Sequence, residues 1–357
     1  MRKVKEDMNP IQNTHLFQEI HQQLEVIRKL VGQPQRAIID LAHQIRSRNI
    51  KQVFIAARGT SDNAGRYAQY LLGAHNRKVV TLATPSLFTI YQTPPDLSDT
   101  LVIGISQSGK SPDIVSVLAE GKQQGALTAA ITNVPNSDLA QVADIILNLH
   151  AGEERSLAAT KTYTAQLTTM ALISMELDPS QTFLQDLQDL PQRVEEVFAL
   201  EEHVRHLVER YRYMTHCAVI GRGFNYASAF EFSLKLKELT YTIAEPYSSA
   251  DFLHGPVALV DRGFPVFLIA PSGKMVPEMK ATVNKVRERY AEVIMLSDQK
   301  DLLDMADHNL ALPNGVPEWL SPITAIIPGQ MFAMYLANTR GFDVDNPRGL
   351  NKVTETW

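Results

Sequence analysis

The chain reads as an α/β protein of two tandem, doubly wound units, each a mainly parallel five-stranded sheet flanked by helices. Three observations carry that reading. The 357-residue sequence repeats itself at an offset of 164 residues (222 minus 58): the run 53–59, ending Arg58-Gly59, matches the run 217–223, ending Arg222-Gly223. The same offset lays residues 101–105 on 265–269, Ser108-Gly109-Lys110 on Ser272-Gly273-Lys274, and 127–131 on 291–295. Three strand-like runs thus keep step without an insertion, which is the mark of a duplicated unit. Within the first copy, apolar runs alternate with helical patterns from about 51 to 180, as β-α-β units around a parallel sheet require.

Taken in order, residues 14–50 give two amphipathic helices, with Ile20, Leu24, Ile27 and Leu30 at three-to-four spacing. They form a helical leader (1–50) expected to pack on the first unit. Strands are expected near 52–57, 78–83, 101–105, 127–132 and 144–149, and a helix over about 158–177 closes a first domain of 51–185. Asp178-Pro179-Ser180 opens a connector, with a helix near 190–210 and the linking segment at 186–215. The second domain spans 216–341, where Arg340-Gly341 ends its last helix. The tail, 342–357, has neither helical nor strand period and carries Lys352.

Composition excludes several classes. Hydrophobic residues at 45% and charged residues at 20% describe an ordinary globular chain, long enough for two domains. A net charge of −5 argues against a dedicated nucleic-acid surface, which needs clustered Lys and Arg. The basic start, Arg2-Lys3-Val4-Lys5, runs into Glu6-Asp7 and no apolar stretch, so neither a signal peptide nor an anchor is expected. No segment approaches the roughly 20 apolar residues of a spanning helix. The single cysteine, Cys217, falls in an expected buried strand and reads as packing in a cytoplasmic protein. Neither Cys-x-x-Cys nor His-Glu-x-x-His is present, and Arg222-Gly223-Phe224-Asn225 lacks the third glycine of a dinucleotide fingerprint. Neither a metal nor a cofactor is expected.

Ser106-Gln107-Ser108-Gly109-Lys110-Ser111 follows the third strand directly, and Pro112-Asp113-Ile114 opens a helix with Ser111 as N-cap and Pro112 at the first helical position. Free amides and the positive helix end, faced by small hydroxyls and a glycine, make a seat for a phosphate dianion. Read alone, the segment is equally an ordinary capped turn. The string from Gly104 to Ser111 also fits the nucleotide loop G-x-x-x-x-G-K-[ST]. Against that reading, Gly104 lies inside the strand, Pro112 follows the serine, the loop comes third in strand order, and residues 293–298 are the nearest approach to a strand ending in a magnesium-binding Asp. In the second copy Ser106 and Ser111 become Ala270 and Met275, so no phosphate seat is expected there. Farther on, Glu231, Lys235 and Glu238 share one helical face at i, i+4 and i+7, which on an isolated helix would be a solvated salt-bridged stripe.

The loop from Ser106 to Ser111, taken with Arg58-Gly59-Thr60-Ser61, resembles the sugar isomerase (SIS) domain. The second copy is similar to the isomerase half of the glucosamine-6-phosphate synthases in its helix from Glu231 to Glu238, in His254-Gly255-Pro256, and in the tail from Asp345 to Lys352. The likeness covers nearly all of residues 14–357. It implies a double-SIS protein in which Ser61, Ser106, Gln107, Ser108, Ser111, Thr160, Lys235 and Glu231 hold the phosphate and sugar. By the same resemblance, Glu238 shuttles a proton between C1 and C2, His254 opens the ring and arrives from the neighbouring subunit of a homodimer, and Lys352 forms an imine with the keto sugar. Two departures stand out: Ala159 before Thr160-Lys161 replaces a serine usual in the family, and Leu253 replaces a polar residue before the histidine.

The synthase's glutamine-hydrolysing domain is not expected, because Met1 is not followed by a nucleophilic cysteine. The resemblance therefore implies an amino-sugar phosphate deaminase/isomerase, converting glucosamine 6-phosphate to fructose 6-phosphate and ammonia. A fructosamine-6-phosphate deglycase would use the same proton shuttle. A non-catalytic phosphosugar sensor would keep the serine loop but have no use for Glu238.

Overall fold

The computed structural model describes residues 11–352; the basic start and residues 353–357 of the tail lie outside them. Two helices, α1 (His15–Val31) and α2 (Arg36–Ser47), lead into β1 (Gln52–Ala56), α3 (Thr60–Asn76), β2 (Val79–Leu82), α4 (Ser86–Thr89) and β3 (Thr100–Ile105). The unit continues through α5 (Pro112–Gln123), β4 (Leu127–Thr132), α6 (Asp138–Val142), β5 (Ile145–Asn148) and α7 (Lys161–Leu177). Helices α8 (Gln181–Val197) and α9 (Glu201–Leu207) connect it to β6 (His216–Gly221), α10 (Tyr226–Thr240), β7 (Ile243–Ser248) and α11 (Ser249–Leu253). Then come β8 (Pro265–Ile269), α12 (Val276–Arg287), β9 (Glu292–Ser297), α13 (Lys300–Leu303), β10 (His308–Ala311) and α14 (Ser321–Thr339).

Each unit is a five-stranded parallel sheet, in the order β2-β1-β3-β4-β5 and, read in the same direction, β7-β6-β8-β9-β10. The duplication is therefore real in three dimensions. Gln52 pairs with Val79, and His216 pairs with Ile243, each 164 residues on. Phe54 opposite Val102 recurs as Ala218 opposite Val266. The match fails at the fourth strand: Leu101 pairs with Leu127, whereas Pro265 pairs with Glu292, 165 residues beyond Leu127. The lay of 127–131 on 291–295 is thus one residue out, since nothing in two short apolar runs fixes a one-residue slip.

Both faces of each sheet are covered, so alternate side chains enter different cores. Val53, Ile55, Leu101, Ile103 and Ile105 of the first sheet join Cys217, Val219, Phe267, Ile294 and Leu296 of the second in one shared core. The opposite faces are closed separately, by α5 and α6 over Val102 and Ala130, and by α12 over Val266, Leu268 and Val293. Cys217 is in the shared core, and burial pushes its thiol up to about 12, as its expected packing role requires.

Two expectations need correction. The leader does not pack on the first unit alone: α1 buries Leu16, Ile20, Ile27 and Leu30 in the shared core, and its Gln23 donates to Gln330 of α14 at 2.8 Å while accepting from Thr164 of α7 at 3.0 Å. The Gln23 amide nitrogen donates to the Ile20 carbonyl as well, at 2.9 Å, so the buried amide is satisfied on both sides while it bridges the units. The connector helix also starts nine residues earlier than the expected 190, at Gln181, with the Ser180 hydroxyl accepting from the Phe183 amide at 3.1 Å. It passes through Pro191 and crosses position 185, so no break falls there.

The helix α14 touches α10 so closely that Gly329 leaves no room for a side chain: a Cβ there would lie 2.8 Å from the Phe232 ring. Gly329→Val should therefore lower stability by about 1–3 kcal/mol, as overpacking of a filled core does. The check is the urea midpoint, with an unchanged slope.

Candidate functional site

The strand order reverses between β1 and β3, and at such a point the loops leaving the carboxyl ends of the two strands part to open a crevice. One loop turns at Gly59, in the left-handed region at φ +53°, into the N-terminus of α3. The other is the serine loop, with Gly109 at φ +64°. Ser106 accepts from the Gly109 amide at 3.1 Å and lies 3.5 Å from the Ser111 hydroxyl; Ser108 accepts from the Lys110 amide at 3.4 Å. Ser111 is the N-cap by position, but its hydroxyl takes no helix amide, which corrects the ordinary cap and leaves that oxygen on the Ser106 side. Fully buried Asp113 accepts from its neighbour's amide at 2.9 Å and from Arg58 Nε at 2.7 Å, tying the first turn of α5 to the lead-in of α3.

The equivalent loop of the second unit is already filled. Asp298 accepts from both the amide and the hydroxyl of Ser272, and Glu318 accepts from the Lys274 amide at 3.0 Å. Two carboxylates of the chain itself stand where an anion would sit. The turn that carries Ala270 and Met275 in place of Ser106 and Ser111 is thus bonded from within the chain.

The face of α10 that carries Glu231, Lys235 and Glu238 is not a solvated stripe. Glu231 is 0% and Lys235 1% exposed. The Lys235 ammonium lies 2.5 Å from Glu238 and 3.4 Å from Glu231, and donates to Thr60 of α3 at 3.3 Å. Glu231 also accepts from Thr60 at 3.0 Å and from Asn63 at 2.8 Å. Burial pushes the Glu231 carboxyl above the usual range, opposed by Lys235 and these donors. For Lys235 burial alone would lower the ammonium, but Glu238 and Glu231 outweigh it and hold it charged. Glu238 keeps a partly open carboxylate, at 22% exposure.

The N-terminus of α7 completes the cluster. Gln166 donates to Ser61 at 3.0 Å, and the buried Thr160 hydroxyl has no hydrogen-bond partner among the described residues. Buried Glu154 accepts from the Thr160 and Thr162 amides at 3.0 and 3.1 Å, and Lys352 of the tail reaches it at 3.5 Å. Three sets of contacts result: Glu231, Lys235 and Glu238 with Thr60 and Asn63; Ser61 with Gln166; and Thr160 and Lys352 with Glu154. Ser106, Gln107, Ser108 and Ser111 stand on the loop after β3. His254 stands apart: it is exposed, just past α11, and its side chain makes no hydrogen bond among the described residues. Asn63, Gln166 and Glu154 were not foreseen. The first two stand on the same helix faces as Thr60 and Thr162, a spacing that becomes informative only once α3 and α7 are known to meet.

Among the described residues, no cluster of three or more His, Cys, Asp or Glu is placed to hold a metal ion, and no helix is long and apolar enough to cross a membrane. Two parallel, doubly wound sheets, the first with a hydroxyl-rich loop after its third strand, define a class of paired α/β domains. The SIS domain model matches residues 48–175 and again 214–340, and the chain belongs to the SIS domain family. An isomerizing glutamine–fructose-6-phosphate aminotransferase of Thermococcus kodakarensis is 35% identical over 347 residues, covering 94% of this chain and 57% of that protein. The chain thus spans little more than half the length of that relative. The solved C-terminal domain of glucosamine-fructose-6-phosphate aminotransferase from Francisella tularensis superposes with a TM-score of 0.84 at 27% identity, covering 94% of this chain and 98% of that one. A glucosamine-6-phosphate deaminase from Thermotoga maritima shares the fold, with a TM-score of 0.76 at 21% identity over 96% of this chain and all of that one.

Lys235→Met removes the cation that offsets buried Glu231 and should cost about 3–5 kcal/mol near neutral pH. The Glu231 carboxyl, already raised in the folded state above its ordinary 4.5, rises further in the variant. Stability is then greatest below that ordinary value and is lost as pH rises through the folded value. Urea unfolding should show a larger deficit at pH 8 than at pH 5; an equal deficit would count against a buried ionised Glu231.

Proposed function

We propose that the chain is a phosphosugar aldose–ketose isomerase/deaminase acting on an amino-sugar 6-phosphate. The observation that carries this is the buried Lys235, which holds Glu238 at 2.5 Å, together with a serine loop at the point of strand reversal whose counterpart in the second unit is bonded by Asp298 and Glu318. Membership of the SIS domain family and the 35% identity to an isomerizing aminotransferase support the same reading.

In this scheme Ser106, Gln107, Ser108 and Ser111 take the phosphate at the start of α5, and Ser61 and Thr160 take sugar hydroxyls. His254 of a second copy protonates and opens the ring, so the working form is a homodimer. Its exposure, beside exposed Leu253 and Leu259, fits a residue that serves a neighbouring molecule. Glu238 removes the C2 proton of open-chain glucosamine 6-phosphate and returns it to C1, giving the C2 imine of fructose 6-phosphate. Exchange of that imine onto Lys352 releases ammonia, and water then frees fructose 6-phosphate and the lysine.

The purified chain should release ammonia from glucosamine 6-phosphate. Glu238→Gln should slow this by about 10²–10⁴-fold, the usual contribution of a general acid–base, while phosphosugar binding survives. Release of an amino acid from a fructosamine 6-phosphate instead would make the chain a deglycase. Neither product, with binding intact in the variant, would make it a non-catalytic phosphosugar binder.

A further inference from the structure

The tail is attached to α1 at two places. The first two amides of α1, on His15 and Leu16, donate at 2.9 Å each to the two oxygens of Asp345, so a carboxylate of the tail closes the positive end of that helix. One turn along α1, Glu19 is 4% exposed and has both carboxylate oxygens engaged. They accept from the amides of Arg155 and Ser156 and from the Ser156 hydroxyl. The Ser156 carbonyl in turn accepts from Lys352 at 2.5 Å. On the next turn face Gln22 accepts from Lys161 at 2.8 Å, and Lys161 also donates to the Glu153 carbonyl at 2.6 Å. Helix α1 thus holds both the strap 153–156 on which Lys352 rests and the tail segment that delivers it.

We propose that Glu19 and Asp345 are positioning residues for Lys352: Asp345 fixes where the tail leaves α1, and Glu19 fixes the carbonyl that receives the amine. Glu19 spends a buried charge on three donors of a loop that carries no expected site residue before Thr160. Burying a carboxylate is costly unless it is fully bonded. Its bonds define the height of Ser156, and with it the reach of Lys352 toward the crevice. The role of Lys352 in turnover rests on the function proposed above; its placement by Glu19 and Asp345 does not.

The test uses the full chain and the variants Glu19→Gln and Asp345→Asn, the second on a partly exposed residue so that a folded protein remains if the first is unstable. Reductive methylation with formaldehyde and cyanoborohydride, mapped by peptide mass spectrometry, gives the rate at Lys352 relative to Lys300, whose side chain is 86% exposed. In the wild type Lys352 should react more slowly than Lys300, and in each variant its rate should rise by about five- to tenfold, as expected when the bonds that hold it open locally. Deamination in the same samples should show kcat reduced by about ten- to a hundredfold with KM nearly unchanged, the mark of a misplaced reacting group. Unchanged Lys352 labelling in both folded variants would overturn the inference. Faster labelling with no ammonia formed even by the wild type would uphold the placement and remove the proposed reaction.

Discussion

One ammonium, that of Lys235, is buried between two carboxylates, and the meeting of the two units is built around it. A charge out of water is tolerated only with near-complete bonding. Here the bonding crosses the repeat, since Thr60 and Asn63 belong to α3 of the first unit and Glu231 and Lys235 to α10 of the second. The two helices are equivalents in the duplication: Tyr67, Leu71 and Ala74 stand 164 residues before Glu231, Lys235 and Glu238. One copy of the helix keeps an apolar face and presents its N-terminus; the other has gained the charges. A site shared in this way requires both copies docked, and the shared core beneath supplies the rigidity.

Helix α1 plays a complementary part. Its apolar stripe fills the groove between α7 and α14, themselves a repeated pair, and its polar groups reach the edge of the crevice through Gln22 and Glu19. A segment that reads by period as a leader is therefore structural mortar. Arg340 does similar work at the far end of α14, donating to the carbonyls of Arg212, Tyr211, Met214 and Thr240 and fixing the exits of α10 and α14 together.

Much of this was legible in the chain. The strands fell where apolar runs of four to six residues sit between turn residues, and the repeat carried three of them onto the second unit. The serine loop was legible because strand, small residues, Ser111 and Pro112 form a continuous local pattern. What escaped was non-local. Charges at i, i+4 and i+7 look the same on a solvated face and on a buried one, and only the docking of α3 decided for burial at Glu231 and Lys235. Asn63 meets a partner 168 residues away, and Glu154 faces Lys352 of the tail. The one-residue slip at β9 was invisible because Val, Ile and Leu pack equally well one place along.

The filled loop of the second unit gives the molecule an internal reference. Asp298 shows how an anion engages a Ser-Gly-Lys turn on this scaffold: two oxygens span the hydroxyl and the amide of one serine, with Glu318 reaching the next residue but one. Duplication would by default give a chain two equal seats, and therefore two equivalents of ligand and the chance of crosstalk between them. A tethered carboxylate competes for such a turn at a raised effective concentration. In the second unit a carboxylate of the chain itself plays the part of an anion at this turn.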